Sequence, residues 1–463
     1  MPFPVNQNGI KSPNARYAAQ IKQKARVKGN RLVKIADVLL SGGDLASATA
    51  AGTRRNQIPI VLSKNPVIFA KQHGLLKPKA VSSEGWLKRL ADPEVWSRHF
   101  FVRERRWADK TAPSGQFYTS HLSIGASALT DESQDRFAVR HVAVSQSGDL
   151  AVIPTSDQKR RRRFAELLTR GKGISDIATA VSMVPVLLTL TCPSRFHRTK
   201  SRRLNGETIR VKNSRWDGTT PADGQKWLSA KWRILTRRLN KAGIAISWIR
   251  VVQPHKSGCP HWHIVLFACE SDLADIENRV EKVFVKETPE HNEKGAERRV
   301  DFKPIKGGAG GAIAYVSRCL RYISRDLGIG ASVADQEEAD RAAAWSRTWG
   351  IRCYQTSHDK ATLWREIRGG KTEYCGAALK SANQGDYAGF LHAVEDEGLA
   401  INYDARVGKY GEAYSAVSGL SSSSTIFTRS REWTLAVNHI KKNRILEPKK
   451  IDLIFSSEDE ILS

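Results

Sequence analysis

The stretch Pro260-His261-Trp262-His263-Ile264-Val265-Leu266-Phe267 sets two imidazoles two residues apart inside a run of strand-forming residues. Side chains alternate faces along a strand, so His261 and His263 project from one side and Trp262 from the other. Two same-face imidazoles are either ordinary strand residues or half of a divalent-metal site. Upstream, Ala245-Ile246-Ser247-Trp248-Ile249-Arg250-Val251-Val252-Gln253 reads as a second strand, and Pro254-His255-Lys256-Ser257-Gly258-Cys259-Pro260 as a turn-rich connection. If the pair closes as an antiparallel hairpin, Gln253 falls opposite His261 on the same face, and its amide oxygen offers a third ligand.

Further along, the glycines Gly307-Gly308-Ala309-Gly310-Gly311 lead into a helix expected over Ala312–Leu327 and closed by Gly328. At ~100° per residue, Val316, Leu320, Ile323 and Leu327 form one apolar stripe. Tyr315 and Tyr322 lie within roughly 20° of each other on another edge, with Arg318, Arg321 and Arg325 beyond them. Tyrosines so placed are packing residues or nucleophiles. Beside a metal hairpin in a basic chain they look like nucleophiles.

With these segments in hand the chain resembles the phage replication gene A proteins, rolling-circle initiators of the histidine-hydrophobe-histidine (HUH) endonuclease superfamily. The likeness is carried by Leu188-Thr189-Leu190-Thr191-Cys192-Pro193-Ser194-Arg195-Phe196-His197, by Arg250–His255 running into Pro260–His263, and by Leu320-Arg321-Tyr322-Ile323-Ser324-Arg325. It also takes in Leu90–Trp96, Thr348–Arg352 and Leu363–Glu366, so that it covers about residues 86 to 395. The resemblance implies an antiparallel, ferredoxin-like palm and a divalent ion, Mg²⁺ or Mn²⁺, held by His261, His263 and Gln253. It implies attack on DNA by Tyr322, with Tyr315 as the second tyrosine, and a 5′-phosphotyrosyl link that leaves a 3′-hydroxyl primer. Single-stranded or supercoiled origin DNA would be the substrate, with a host helicase and DNA polymerase as partners. Two departures stand out: the family usually carries Glu where this chain has Gln253, and its tyrosines usually sit four apart where here they sit seven apart.

Composition agrees with a polyanionic partner. In 463 residues, 74 lysines and arginines face 47 acids, a formal charge of +27. An anionic membrane surface is the rival, but no stretch approaches ~18 consecutive apolar residues, and the N-terminal residues lack a signal-peptide core. Six cysteines without a Cys-x-x-Cys pair argue against a zinc ribbon or a disulfide framework and fit reduced thiols in the cytoplasm of a bacterial or phage-infected cell.

The chain divides as follows. Residues 1–80 read as a basic, loosely ordered arm and 81–184 as a mainly helical region in which Trp86, Trp96 and Trp107 serve packing. A weak strand pair is expected near Phe137-Ala138-Val139 and Leu150–Ile153, and the cations Lys159, Arg160, Arg161, Arg162 and Arg163 open a helix suited to phosphate contact. Residues 185–330 form the catalytic domain: a strand ending at Thr191, a basic loop over 197–218, a helix capped by Thr220-Pro221-Ala222-Asp223, the hairpin, a helix over 271–286, a strand over 299–305 and the tyrosine helix. Residues 331–395 are an α/β extension and 396–463 a flexible tail. This order predicts an α+β fold, an antiparallel sheet covered by helices, with helical N-terminal and mixed C-terminal additions. Arg195, Arg318, Arg321, Arg325 and the run from Lys159 to Arg163 are the expected DNA contacts. A relaxase or transposase would use the same chemistry, whereas a non-catalytic DNA-binding regulator would explain the charge without nicking.

Overall fold

A computed structural model describes residues 13–40, 83–111, 118–145, 147–325, 332–369, 376–422, 426–428 and 433–437. In chain order, helices α1 (Pro13–Leu40), α2 (Ser83–Leu90), α3 (Pro93–Thr111) and α4 (His121–Arg140) precede strands β1 (His141–Ser145) and β2 (Leu150–Val152). Helix α5 (Ser156–Ala180) leads to β3 (Val184–Thr191), β4 (Thr199–Leu204), β5 (Glu207–Lys212), α6 (Pro221–Lys241), β6 (Ser247–Pro254) and β7 (Pro260–Ala268). Then come α7 (Leu273–Glu281), β8 (Val300–Pro304), α8 (Gly308–Ser324), α9 (Val333–Trp349), β9 (Tyr354–Thr356) and α10 (Ala361–Gly369). Helices α11 (Ala377–Gln384) and α12 (Tyr387–Asp396) and strands β10 (Ala400–Val407), β11 (Ala413–Ser421), β12 (Ile426–Thr428) and β13 (Trp433–Val437) complete it.

The central sheet has the order β8-β3-β7-β6-β9, and every neighbouring pair is antiparallel, as the α+β expectation requires. Period-two alternation gives each strand two apolar faces, and both are covered. Leu188, Leu190, Val252, Trp262, Ile264 and Leu266 pack with Leu228, Trp232, Leu235 and Leu239 of α6 and with Ile276 and Val280 of α7. On the opposite face Ile249, Val251, Val265 and Phe267 pack with Ala312, Val316 and Leu320 of α8 and with Leu167 and Ile174 of α5. Burying each of these side chains stabilises the layers by roughly 1.5–3 kcal/mol. Helix α6 starts where the sequence places it: Thr220 Oγ1 accepts from the Asp223 amide at 3.3 Å, Asp223 Oδ2 accepts from the Thr220 amide at 3.0 Å, and Pro221 occupies the first turn.

Several segments differ from the sequence expectation. Phe137, Ala138 and Val139 lie in α4, and the strand paired with Leu150–Val152 is His141–Ser145, because Ala138 is buried on the helix while Phe137 and Val139 reach solvent. The expected basic arm contains α1, whose small residues Ala15, Ala18 and Ala25 are buried and whose Ala18 joins Leu122 and Ala126 in a minor core. Residues 197–218 hold the ribbon β4–β5 where a loop was expected. Where a tail was expected, β10 and β11 form a hairpin and β13 pairs with β1. The tryptophan reading holds for Trp86 and Trp96, which are buried, and not for Trp107, which is 64% exposed. Leu327, Gly328, Lys441 and Lys442 lie outside the described residues. Among the described residues no helix is long and apolar enough to cross a membrane.

Candidate functional site

Pairing of β6 with β7 sets Gln253 opposite His261 and Val251 opposite His263, while β3 sets Thr191 opposite His261 and Thr189 opposite His263. Directly opposed residues share a face. The two imidazoles and the Gln253 side chain therefore project together, on the side covered by α8. The rings of His261 and His263 stand 4.6 Å apart and nearly perpendicular. His263 Nδ1 lies 3.4 Å from Thr189 Oγ1, and His261 Nδ1 is buried without a hydrogen-bond partner. Between them Trp262 points into the opposite layer, where its Nε1 donates to Gln225 Oε1 at 2.9 Å and the Arg250 guanidinium covers its ring at 3.7 Å. Trp262 thus fixes from behind the strand that presents both histidines.

The sequence reading missed two members of this cluster. The His255 ring lies 4.1 Å from that of His261, and the His197 ring 5.1 Å from that of His255, so four imidazoles form a row. His197 Nδ1 sits 3.0 Å from Ser257 Oγ and its Nε2 3.3 Å from the Cys192 carbonyl, while His255 Nε2 is buried without a partner. The available signal was positional: both histidines follow the ends of the strands that flank β7. Burial, reinforced by His197 and His263, lowers the His255 pKa to about 3, and burial lowers that of His263 to about 4. His261 is driven well below its ordinary value by burial and by His255 and His263. Burial disfavours charge on His197 too, but the neighbouring Cys259 raises its pKa above the usual imidazole value. The three depressed imidazoles keep their lone pairs at neutral pH, the state a metal ligand needs. Among the described residues no three His, Cys, Asp or Glu side chains converge as a ready ligand set, which leaves two imidazoles and the Gln253 amide as the candidate donors.

Helix α8 carries the tyrosines. Val316 and Leu320 bury the predicted stripe, and Arg325 in a left-handed conformation ends the helix. The Tyr315 ring lies 6.0 Å from that of His263, and burial together with Cys319 raises its phenol pKa. Two turns on, Tyr322 donates its hydroxyl to Asp335 Oδ1 at 3.2 Å, and desolvation and that carboxylate raise its pKa as well. Tyr322, Gln253, Tyr118, Glu338 and Trp345 line one cleft of about 240 Å³. Asp335 and Glu338 belong to α9 and were not anticipated; a Ser332 cap places Asp335 in the first turn of that helix.

The expected DNA contacts divide. Arg318 is exposed, and Arg321 lies 5.5 Å over the Phe164 ring. Arg325 pairs with Asp131 and Asp340, and Arg195 with Glu290 at 2.7 Å and Asp217 at 2.9 Å, so these two are held within the protein. In the first turns of α5, Arg160 reaches Asp157 at 3.3 Å and Asp131 at 3.6 Å, and Arg161 reaches Asp157 at 3.0 Å. Lys159 and Arg163 are engaged as well, and the side chains of Arg161, Arg162 and Arg163 still face solvent.

Residues 141–329, which run from β1 through the end of α8 and include His197, His255, His261, His263, Tyr315 and Tyr322, match the family described as bacteriophage replication gene A protein. Over these residues the chain is similar to this family. Among gene A relatives it is similar to the "Replication protein" of Haemophilus phage HP1, at 28% identity over 62% of this chain and 38% of that protein. It is similar also to the "Replication gene A protein" of Escherichia phage 186, at 27% identity over 59% of this chain and 43% of that protein. A "Probable replication endonuclease from prophage-like region" of Salmonella paratyphi A is 27% identical over 56% of this chain and 34% of its own length. The chain thus spans between about a third and just over two fifths of the length of these three relatives. No solved structure matches it.

Proposed function

We propose that the chain is a site-specific single-strand DNA endonuclease that initiates rolling-circle replication through a 5′-phosphotyrosyl intermediate. The observation that carries this reading is the pairing of Gln253 with His261 on the sheet face against which the helix bearing Tyr315 and Tyr322 packs. The antiparallel sheet with helices on both faces suits the ferredoxin-like HUH palm, and the replication endonucleases among the relatives support a nuclease.

His261, His263 and Gln253 would hold a divalent ion, Mg²⁺ or Mn²⁺, and the orphaned Nδ1 of buried His261 fits such a role. When bound, that ion neutralises charge on the oxygens of the scissile phosphate. Imidazole donors suit Mn²⁺ and cellular abundance favours Mg²⁺. Tyr322 is the initiating nucleophile: its hydroxyl oxygen bonds to phosphorus as the bond to the 3′-oxygen breaks, Asp335, which already accepts its hydrogen bond, receives the phenol proton, and the departing 3′-oxygen takes a proton from water to become the 3′-hydroxyl. The resulting ester keeps the energy of the broken bond, so a free 3′-hydroxyl can reverse the cut, which hydrolysis by water would forfeit. Tyr315, against His263, serves the rejoining step. A host helicase would unwind the nicked duplex while a DNA polymerase extends the exposed 3′-hydroxyl.

His261→Ala and His263→Ala are expected to abolish nicking of a supercoiled origin plasmid while preserving most affinity for single-stranded DNA, which rests on cation–phosphate contacts. Full cleavage by both variants would remove the metal site from the mechanism. Binding without nicking by the unaltered chain under any divalent ion would favour a regulator.

A further inference from the structure

The ribbon β4–β5 stands apart from the core. From Thr199 to Lys212 it carries the cations Lys200, Arg202, Arg203, Arg210 and Lys212 and a single acid, Glu207. Nearly every residue from Lys200 to Thr208 is exposed, on a two-stranded sheet that pairs with no third strand among the described residues. Its apolar surface is small, with Ile209 and Val211 half-buried near its base and Leu204 at its end 48% exposed. Its tip is Asn205-Gly206, both at positive φ (50° and 83°), the tight turn that matches the twist of a two-residue hairpin.

Register distributes the charge over both faces. Lys200 and Arg202 lie on one face with Ile209 and Val211, and Arg203, Arg210 and Lys212 on the other with Ser201 and Thr208. Arg210 is folded along the ribbon, donating to Thr199 Oγ1 at 2.7 Å and Ser201 Oγ at 3.0 Å. Lys200, Arg202, Arg203 and Lys212 extend outward.

The base of the ribbon is rooted in the candidate site. Asn213 is buried and its Nδ2 donates to the carbonyls of Ser194 and His197, both at 2.8 Å, while His197 begins the imidazole row that ends at His263. The ribbon therefore holds a fixed direction relative to the histidines.

We infer that the ribbon Thr199–Lys212 grips paired DNA, a duplex or hairpin stem, and holds it against the candidate nicking site. This rests on the proposed nuclease reading and adds the state of the DNA that is recognised. Two strands ~4.8 Å apart with their side chains fit a B-form major groove ~12 Å wide. Six residues at ~3.3 Å each reach about 20 Å, or roughly six base pairs. Cations on both faces meet the two phosphate walls of such a groove, and the hydroxyls of Ser201 and Thr208 face bases or sugars. A single strand would occupy one face only.

The test uses the full chain with Lys200, Arg202 and Arg203 all changed to Gln, or in a second variant to Ala. Its affinities for a mixed-sequence duplex of about two turns and for an unstructured oligothymidine are measured across a salt series. The expected result is that the salt slope for the duplex falls by roughly 2 to 3, close to 0.9 per lost phosphate contact, while the oligothymidine slope is unchanged. An equal loss on both DNAs would make the ribbon a general polyanion surface, and no loss on the duplex would remove it from recognition; either overturns the inference. An unaltered unfolding midpoint checks that the variants fold. The comparison stands whether or not the chain nicks: a chain that nicks but whose variants bind duplex normally refutes the ribbon alone, and one that never nicks refutes the nuclease reading alone.

Discussion

Replacing Trp262 by Phe tests how the strand between the two histidines is held. The indole is fully buried, covers the Arg250 guanidinium at 3.7 Å and donates to Gln225 at 2.9 Å. Phe keeps an aromatic face but loses the Nε1–H donor, and it leaves a void beside Trp232, whose ring centroid is 6.3 Å away. The lost hydrogen bond costs about 1 kcal/mol, the weakened contact with a desolvated cation about 1, and the cavity about 1, so the expected destabilisation is roughly 3 kcal/mol. For a domain of this size that lowers the thermal midpoint by about 6–12 °C. Arg250→Met in the same background measures the ring–cation coupling in a double-mutant cycle, with an expected value of about 1 kcal/mol. A midpoint within about 2 °C of the unaltered chain, with coupling under ~0.3 kcal/mol, would refute the claim that this pair fixes the strand.

Gly224→Ala places a Cβ 3.0 Å from Pro260 Cδ and 3.3 Å from Cys192 Sγ, at the point where α6 presses on the start of β7. We expect a net loss of about 1 kcal/mol, crowding outweighing the gain in helix propensity, and a gain in urea midpoint would show that the contact yields freely. Burial holds His255 near 3 and His263 near 4, whereas unfolded imidazoles titrate near ~6.5, so the unfolded chain binds more protons between these values. The stability these neutral groups contribute is therefore present above pH ~6.5 and is lost as pH falls toward 4, and equal urea midpoints for the unaltered chain and His255→Gln at pH 7 and pH 5 would contradict this. Gln253→Glu is expected to retain nicking and to tighten Mn²⁺ binding by calorimetry, since a carboxylate replaces a neutral donor beside His261; a folded variant with neither nicking nor metal binding would show that Gln253 lies outside the ligand set.

The central sheet was legible because its strands are short apolar runs and because Pro and Gly punctuation isolates the hairpin; the register of Gln253 with His261 follows from strand length and turn alone. The cap of α6 was equally plain, being a local pattern of Thr, Pro and Asp. The ribbon was not read as strands although Asn205-Gly206 is a strong hairpin signal, because its first strand is mostly charged and only Ile209 and Val211 of the second alternate with polar residues. His197 escaped notice because it meets His255 only through the pairing of β3 with β7, across some sixty residues of chain, and His255 because it sits in the hairpin turn, outside the alternation of the strands. The same holds for Asp335, which meets Tyr322 only because α9 packs beside α8. The internal engagement of Arg195 and Arg325 likewise depends on acids remote in sequence, Glu290 and Asp131.

The measurement that bears most directly on the mechanism is peptide mapping of the covalent adduct formed on a supercoiled plasmid carrying the chain's own origin, with Mg²⁺ or Mn²⁺ present. Arg318 and Arg321 lie between the two tyrosines, so trypsin separates them: Tyr322 falls in the peptide Tyr322-Ile323-Ser324-Arg325 and Tyr315 in the peptide ending at Arg318. The account predicts nicked circles with DNA joined through its 5′ end to Tyr322, loss of that adduct in Tyr322→Phe, and a first nick that survives Tyr315→Phe. DNA on Tyr315 alone would reverse the assignment of the two tyrosines, and nicked circles with DNA on neither would contradict the covalent mechanism.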